Sequence, residues 1–526
     1  MIDIKDLTLD VKIGQMIMAG FPSKYYDHHV NEIIKDKKIG NIILFASNIG
    51  SIDDIIKLTS NLQKNIKQHI GIPGFISIDQ EGGMVTRIYK GITFFPGNMA
   101  FSAANEIKST FKQGEIEGKE LKSIGINMNI APVMDVNCNP KNPVIGCRSY
   151  GDNPKKVAEF GIGLIKGLEQ SGVVAVAKHF PGHGDTDVDS HLSLPVVKHD
   201  MMRLEKIELI PFKSAIESGV QAIMSAHVLL PEMEPKKIPA TLSHKVLTGL
   251  LKNKMGFNGL VITDCMEMEA IATYYGSEIA SVMAINAGAD IICISHTKEI
   301  QIRCVDAIKK AVLDGGISEE RINQSVEKIL EIKNKHNMAT NEKFGTKKLC
   351  SCVENSKSRE FAKIISNKSI TVIKDNKKLL PVVGNIVSIS TKAVVFTGVE
   401  NEIKMNTPFC QQLKQKFGGK AFEIPLNPND TLIEEIVCSC KNANVVIVGV
   451  YNASSNSKQI ELVKKINSVN SNVILVSLRN PYDFFCFKNI STYINAYEYT
   501  ELSISSVIKV ISGEIKAMGI SPIKLF

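Results

Sequence analysis

The segment Lys178-His179-Phe180-Pro181-Gly182-His183-Gly184-Asp185-Thr186-Asp187-Val188-Asp189-Ser190-His191 packs three histidines, three aspartates and one lysine into fourteen residues. Imidazole titrates near neutral pH, so a run of this kind suits proton transfer. Asp189 stands two residues before His191, within reach to orient its ring. Pro181, Gly182 and Gly184 let the chain turn sharply. A metal site and a solvated loop are the other two readings. Histidines four and eight residues apart on a turning loop do not reproduce the paired face of a helical metal site, so acid/base chemistry is the favoured one. A second segment, Gly259-Leu260-Val261-Ile262-Thr263-Asp264, is an apolar run ending in an acid. Asp264 there is either a group delivered to a pocket or a helix N-cap. A third, Ile78-Asp79-Gln80-Glu81-Gly82-Gly83-Met84-Val85-Thr86-Arg87, sets a carboxylate and a guanidinium on a glycine-hinged loop, either to grip hydroxyls or to form a structural ion pair.

These residues need elements that bring them together. Eight short apolar runs, separated by helix-like stretches, occupy the first two-thirds of the chain: Lys12–Phe21, Ile39–Phe45, Gly74–Asp79, Ile126–Val136, Val173–Phe180, Ala222–His227, Gly259–Asp264 and Ala289–Ser295. The pattern predicts parallel strands joined by crossover helices, and eight such units close a (β/α)8 TIM-type barrel. Most of the runs end in a polar residue: Asp79, Asp135, Lys178-His179, His227 and Asp264. Strand ends of a barrel converge on one mouth, so these groups become neighbours around one pocket. Periodicity lapses after about Glu331. We expect a barrel over residues 1–337, a linker over 338–357 and a second domain over 358–526. In the latter, strand-like runs at Ser369–Lys374, Ile386–Ser390, Ala393–Thr397, Asn444–Val450 and Val473–Leu478 alternate with helical segments such as Ser457–Ile466, the pattern of an α/β/α sandwich.

Composition narrows the function. The 526 residues are 44% hydrophobic and 22% charged, which excludes wholesale disorder and a disulfide miniprotein. Sixty-two basic against fifty-four acidic residues leave +8, with lysines scattered among acids, so no nucleic-acid partner is expected. Tryptophan is absent, which favours a short soluble ligand over a stacked polymer. The acidic start Met1-Ile2-Asp3-Ile4-Lys5-Asp6 and the lack of an uninterrupted apolar stretch argue against secretion and a membrane span. Eleven cysteines, an odd count, suit reduced thiols and a cytoplasmic location; Cys350/Cys352 and Cys438/Cys440 have no histidine partners at zinc-finger spacing. Neither metal nor cofactor is expected.

A family resemblance rests on longer motifs: Ala131-Pro132-Val133-Met134-Asp135-Val136, Asn142-Pro143-Val144-Ile145-Gly146-Cys147-Arg148-Ser149-Tyr150, the Lys-His-Phe-Pro-Gly-His-Gly-Asp loop ending Asp189-Ser190-His191, Ile223-Met224-Ser225-Ala226-His227-Val228 and Ile262-Thr263-Asp264. In this order they resemble glycoside hydrolase family 3, in its β-N-acetylglucosaminidase branch, and the match covers the barrel. Ser369-Ile370-Thr371-Val372-Ile373-Lys374 and Leu379-Leu380-Pro381 more weakly resemble the family's α/β sandwich. The resemblance implies retaining hydrolysis of terminal, non-reducing β-linked N-acetylglucosamine from fragments of cell-wall glycan. It makes Asp264 the nucleophile and His191, oriented by Asp189, the general acid/base. It further implies that Asp79 binds outer sugar hydroxyls, while Arg87, Arg148, Lys178 and His179 hold the ring. A carboxylate beside an imidazole of unperturbed pKa about 6.5 favours its protonated form, so the dyad can serve in place of the usual second carboxylate. Cys265 and Tyr150 depart from the more usual Asp and Phe. Four alternatives stand beside this reading: a phosphorylase, a β-glucosidase whose second domain supplies an acid (Glu498 or Glu501), and, in other classes, a non-catalytic sugar sensor and a metal-dependent hydrolase.

Overall fold

In the computed structural model, which describes residues 3–190, 193–336, 338, 353, 355–401 and 405–525, each of the eight apolar runs supplies one barrel strand. In chain order the strands are β1 (Ile17–Ala19), β2 (Asn41–Leu44), β3 (Phe75–Ile78), the small hairpin β4 (Gln80–Gly82) and β5 (Val85–Thr86), then β6 (Met128–Asn129), β7 (Val174–Phe180), β8 (Ala222–Ser225), β9 (Leu260–Cys265) and β10 (Ile291–Ile294). All but the hairpin close one barrel in the order β1-β10-β9-β8-β7-β6-β3-β2, and every pairing in it is parallel. The strands are buried on both faces, as a barrel clad in helices requires.

The crossover helices follow from caps and apolar spacing. Helix Ile52–Ile70 starts at Ser51, whose hydroxyl accepts from the Asp54 amide at 3.2 Å, and stops at Gly71 with φ 83°. Its buried residues Ile55, Leu58, Leu62, Ile66 and Ile70 recur every three or four positions and face the strands.

Two barrel strands cover less than a third of their apolar runs. Helix Leu9–Gln15 takes the first four residues of the Lys12–Phe21 run: the Thr8 hydroxyl caps it, and only Ile17–Ala19 pairs in the barrel. Within Ile126–Val136 the ladder covers only Met128–Asn129, because Pro132 has no N–H to contribute and contact resumes as a single bridge from Val133 to Lys178.

The second domain has β11 (Thr371–Asp375), β12 (Ile386–Thr391), β13 (Lys420–Ile424), β14 (Val445–Val450), β15 (Val473–Ser477) and β16 (Thr492–Asn495) in the order β11-β16-β15-β14-β12-β13. Only the β11–β16 pair is antiparallel. The expected strand Ala393–Thr397 is a loop instead; Val394 and Val395 are 40% and 46% exposed and have no strand to pair with. The last barrel helix is Glu319–Lys335, and the next described helix, Ser356–Ser369, belongs to the sandwich. Most of the expected linker, including Cys350 and Cys352, lies outside the described residues.

The two units share core. Helix Asn98–Ala104, between β5 and β6, is buried along its whole length. Met99, Ala100 and Ala103 join the apolar cluster of the sandwich, and the Ala103 carbonyl accepts from the Ile520 amide at 2.9 Å. Phe101 contacts Phe95, which meets Phe361 edge-on with ring centres 6.2 Å apart. Among the described residues, no helix is long and apolar enough to cross a membrane.

Behind the hairpin, Glu117 is 2% exposed and accepts from Asn129 Nδ2 at 2.5 Å and Gln113 Nε2 at 3.4 Å. Burial pushes its carboxyl up to about 8 despite those bonds. The unfolded value is about 4.3, so the native state holds the extra proton between the two. This contribution to stability is complete below about pH 4.3 and is lost as pH rises toward about 8. We expect Glu117→Gln to flatten the fall of Tm across that window, measured by calorimetry at stepped pH; an unaltered slope would remove Glu117 as its source.

Candidate active site

The barrel strands end at one mouth, and a cavity of about 330 Å³ opens there. Asp79 directly follows β3, Glu81 lies on β4 and Arg87 follows β5. Arg148 closes a single turn, Gly146–Arg148; Lys178 and His179 are the fifth and sixth residues of β7; Asp264 is the fifth of β9. Asp79, Arg87, Arg148, Lys178, His179 and Asp264 all line the cavity. Asp189 does not, although it is 5% exposed and its neighbour Ser190 does. His191 lies outside the described residues. His227, also expected at the mouth, instead bonds Thr241 Oγ1 at 3.0 Å and the Cys265 carbonyl at 2.9 Å.

Charges on the cavity wall are paired at close range. Lys178 Nζ donates to Asp79 Oδ1 and contacts Glu81 Oε1, each at 2.7 Å. Arg148 embraces Glu81 through Nε to Oε2 at 2.9 Å and Nη2 to Oε1 at 2.8 Å. Arg87 Nη2 stands 3.5 Å from Asp79 Oδ2, so the ion-pair reading of that couple and its place on the cavity hold together. Burial by itself would raise the Glu81 carboxyl, but Arg148 and Lys178 outweigh it and hold the group well below the usual carboxylate range.

A second network folds the histidine-rich loop onto the strand ends. Asp135 Oδ2 bonds His179 Nδ1 at 2.7 Å, and its Oδ1 accepts from the His183 amide at 2.6 Å. Burial would raise Asp135, yet His179 and His183 keep it below its ordinary value. His183 sits with Nδ1 2.8 Å from Thr186 Oγ1 and Nε2 3.0 Å from Ser190 Oγ, and burial pushes its imidazole down to about 4 against the pull of Asp135. That leaves a neutral ring at physiological pH. Gly184 permits the fold of the loop, since a Cβ there would stand 1.9 Å from the Val136 carbonyl oxygen. Asp264 is half-buried, and its Oδ1 accepts from the Cys265 amide at 2.8 Å. The next helix, Glu269–Tyr275, begins after Met268, so Asp264 is not its cap. Burial pushes the Cys265 thiol up to about 12, placing a neutral S–H beside Asp264.

Sequence reasoning left three contributors without a role. Glu81 was visible as a carboxylate but not as the counter-ion of two cations. Asp135 was visible as a strand-end acid but not as the anchor of two histidines. Residues Gly398, Val399, Glu400 and Asn401 of the second domain line the cavity and carry no local signal of doing so. Glu498 accepts from the Gly97 amide at 2.6 Å and Thr500 Oγ1 at 2.9 Å, and Glu501 from Asn406 at 2.9 Å; neither lines the cavity. Among the described residues, Cys138, Asp185 and Glu208 have a metal-ligand spacing, but Arg203 already bonds Glu208 at 2.5 and 2.7 Å and reaches Cys138 Sγ at 3.6 Å. Glu81→Gln would leave two buried cations short of a counter-charge, with an expected loss of about 3–5 kcal/mol in urea denaturation. A loss below about 1 kcal/mol would show that the pairing does not depend on the charge of Glu81.

Likeness to known proteins agrees with this geometry. The family model for the Glycosyl hydrolase family 3 N-terminal domain matches residues 8–332. Beta-hexosaminidase A of Pseudoalteromonas piscicida is 37% identical over 374 residues, which span 62% of this chain and 61% of that protein. The Beta-hexosaminidase of Nitrosomonas eutropha is 33% identical over 264 residues, 49% of this chain and 74% of its own length. The solved structure of a glycoside hydrolase family 3 beta-N-acetylglucosaminidase from Paenibacillus sp. str. FPU-7 superposes with a TM-score of 0.93 at 37% identity, covering 99% of both chains. With a barrel of this order, charged strand ends at its mouth and a family match over the whole of it, the chain belongs to glycosyl hydrolase family 3.

Proposed function

We propose that this protein is a retaining exo-β-N-acetylglucosaminidase that removes terminal, non-reducing β-linked N-acetylglucosamine from short glycans, such as muropeptide fragments of cell wall, in the cytoplasm. One observation carries the reading: the Asp264 carboxylate faces the same 330 Å³ cavity as the hydroxyl-gripping set Asp79, Arg87, Arg148, Lys178 and His179. The names of the P. piscicida and Paenibacillus relatives support the substrate class. The division into a barrel of residues 1–337 and a sandwich of residues 358–526, joined by 338–357, is part of the same proposal.

In this mechanism the sugar lies with its anomeric carbon over Asp264. The ionised carboxylate attacks that carbon while His191, oriented by Asp189, protonates the departing oxygen. A glycosyl-aspartate forms and the aglycone leaves. Water then attacks the anomeric carbon, the neutral His191 takes its proton, and Asp264 is regenerated with the starting configuration restored in the sugar. The ammonium of Lys178 and the guanidinium of Arg87 hold Asp79 as an oriented acceptor for sugar hydroxyls. No metal or cofactor enters the scheme.

Phosphate as acceptor in the second step is the competing reading, and it differs in product: a sugar 1-phosphate instead of free sugar. Incubation of aryl N-acetylglucosaminide and aryl glucoside with and without phosphate is expected to release free N-acetylglucosamine in both buffers. Phosphate-dependent formation of the 1-phosphate would replace hydrolase with phosphorylase.

Asp264→Asn should abolish trapping by a slow fluorinated glycoside, read by peptide mass spectrometry; a label on another residue of the intact enzyme would end the nucleophile assignment. His191→Ala should slow substrates with poor leaving groups by about a hundredfold or more, while aryl glycosides that need little protonation lose far less. Equal losses on both would move the acid to a different group.

A further inference from the structure

The part of the cavity wall that the barrel does not build comes from the loop after β12. Arg87 Nη1 donates to the Val399 carbonyl at 2.8 Å and to Asn401 Oδ1, while its Nη2 faces Asp79. The shape of that loop is set by Glu400. Its Oε2 accepts from the Phe396 amide at 3.0 Å, and its Oε1 accepts from Arg479 through Nε at 3.1 Å and through Nη2. Arg479, 6% exposed, also donates from Nη1 to Asn452 Oδ1 at 3.1 Å, and its guanidinium lies over the Phe396 ring, 5.5 Å from the centre. Its carbonyl accepts from Cys147 Sγ at 3.0 Å, one residue before Arg148. The contacts therefore run from the strand ends of the sandwich through Arg479 and Glu400 to Val399 and Asn401, and from there to Arg87 and Asp79.

Strand order explains why this happens here. The chain leaves β12 toward β13 on one side of the sheet and returns to β14 on the other, and doubly wound sheets bind ligands in the crevice at the carboxyl ends where strand order reverses. In this protein Glu400 and Arg479 come from the loops at that edge. A buried ion pair contributes little net stability compared with apolar residues of the same volume, whereas a guanidinium bonded to one carboxylate through two nitrogens fixes direction closely.

We propose that Glu400 and Arg479 are positioning residues of the sugar site: together they press the Gly398–Asn401 turn against Arg87 and hold its guanidinium toward Asp79, so that the sandwich domain tunes affinity for the sugar and leaves the chemistry to the barrel. The inference rests on the glycosidase reading for its substrate. It requires that disturbing Glu400 act through Arg87.

The test is steady-state kinetics on an aryl N-acetylglucosaminide for the full chain and for Glu400→Gln, Asn401→Ala, Arg87→Met and the Glu400→Gln/Arg87→Met pair, with thermal melts alongside. Glu400→Gln is expected to raise KM about tenfold while kcat stays within about threefold, and Asn401→Ala to shift KM the same way by less. In the Arg87→Met background Glu400→Gln should add under about twofold, because its target is already gone. Unchanged KM, or effects of Glu400→Gln and Arg87→Met that multiply, would overturn the proposal. Should Glu400→Gln not fold, Asn401→Ala, which takes no part in the ion pair, carries the same comparison against Arg87→Met. Hydrogen exchange over Met84–Ile88 separates this inference from the functional reading. Wild type that releases no N-acetylglucosamine would refute the latter alone, whereas exchange no faster in Glu400→Gln or Asn401→Ala than in wild type would refute the coupling.

Discussion

Lys178 is 2% exposed, and its ammonium lies 2.7 Å from carboxylates on both Asp79 and Glu81. A charge taken that far out of water is costly unless it is paired, and the two acids supply the pairing. Glu81 in turn is shared with Arg148, and Asp79 with Arg87. Two carboxylates and three cations thus form one chain of pairs, Arg87–Asp79–Lys178–Glu81–Arg148, in which Lys178 and both carboxylates each meet two partners. A rigid, water-poor lattice of this kind offers polyhydroxy ligands fixed donors and acceptors that need not reorganise on binding.

The barrel supplies the lattice with fixed anchor points. Lys178, His179 and Asp264 stand on or near strand ends whose registers are tied to both neighbours, and the β4–β5 hairpin folds Glu81 and Arg87 over the mouth from the β3 side. Asp135 does similar work for the histidine-rich loop by holding His179 and His183 with one carboxylate. The loop can therefore be rich in glycine and still be placed, since its first half is pinned to a buried acid rather than to its own conformational preference.

How much of this was legible in the sequence depended on how local the signal was. An apolar run closed by an acid or a basic residue is a one-dimensional pattern, and Asp79, Lys178, His179 and Asp264 were found that way and do share a cavity. The eight-strand barrel followed from the same runs. Signals failed where neighbours came from afar. The Arg87–Val399 contact joins residues 312 apart in the chain, and nothing near either residue announces the other. Ala393–Thr397 has strand composition but no strand beside it, while Lys420–Ile424, with Lys420 and Glu423 open to solvent, looks too polar and still pairs as an edge strand with β12. His227 had the right position at a strand end and the wrong orientation, its ring spent on Thr241 and the Cys265 carbonyl.

Helix Asn98–Ala104 belongs to the barrel by position and to the seam by packing, with all seven of its residues out of water. A ribosome makes that helix long before the chain that covers Met99, Ala100 and Ala103 exists. Until the sandwich emerges, the growing barrel carries an apolar flank with nothing to set against it, a liability for any fragment that ends before the sandwich. The two halves are therefore bound together by their order of synthesis as much as by their contacts.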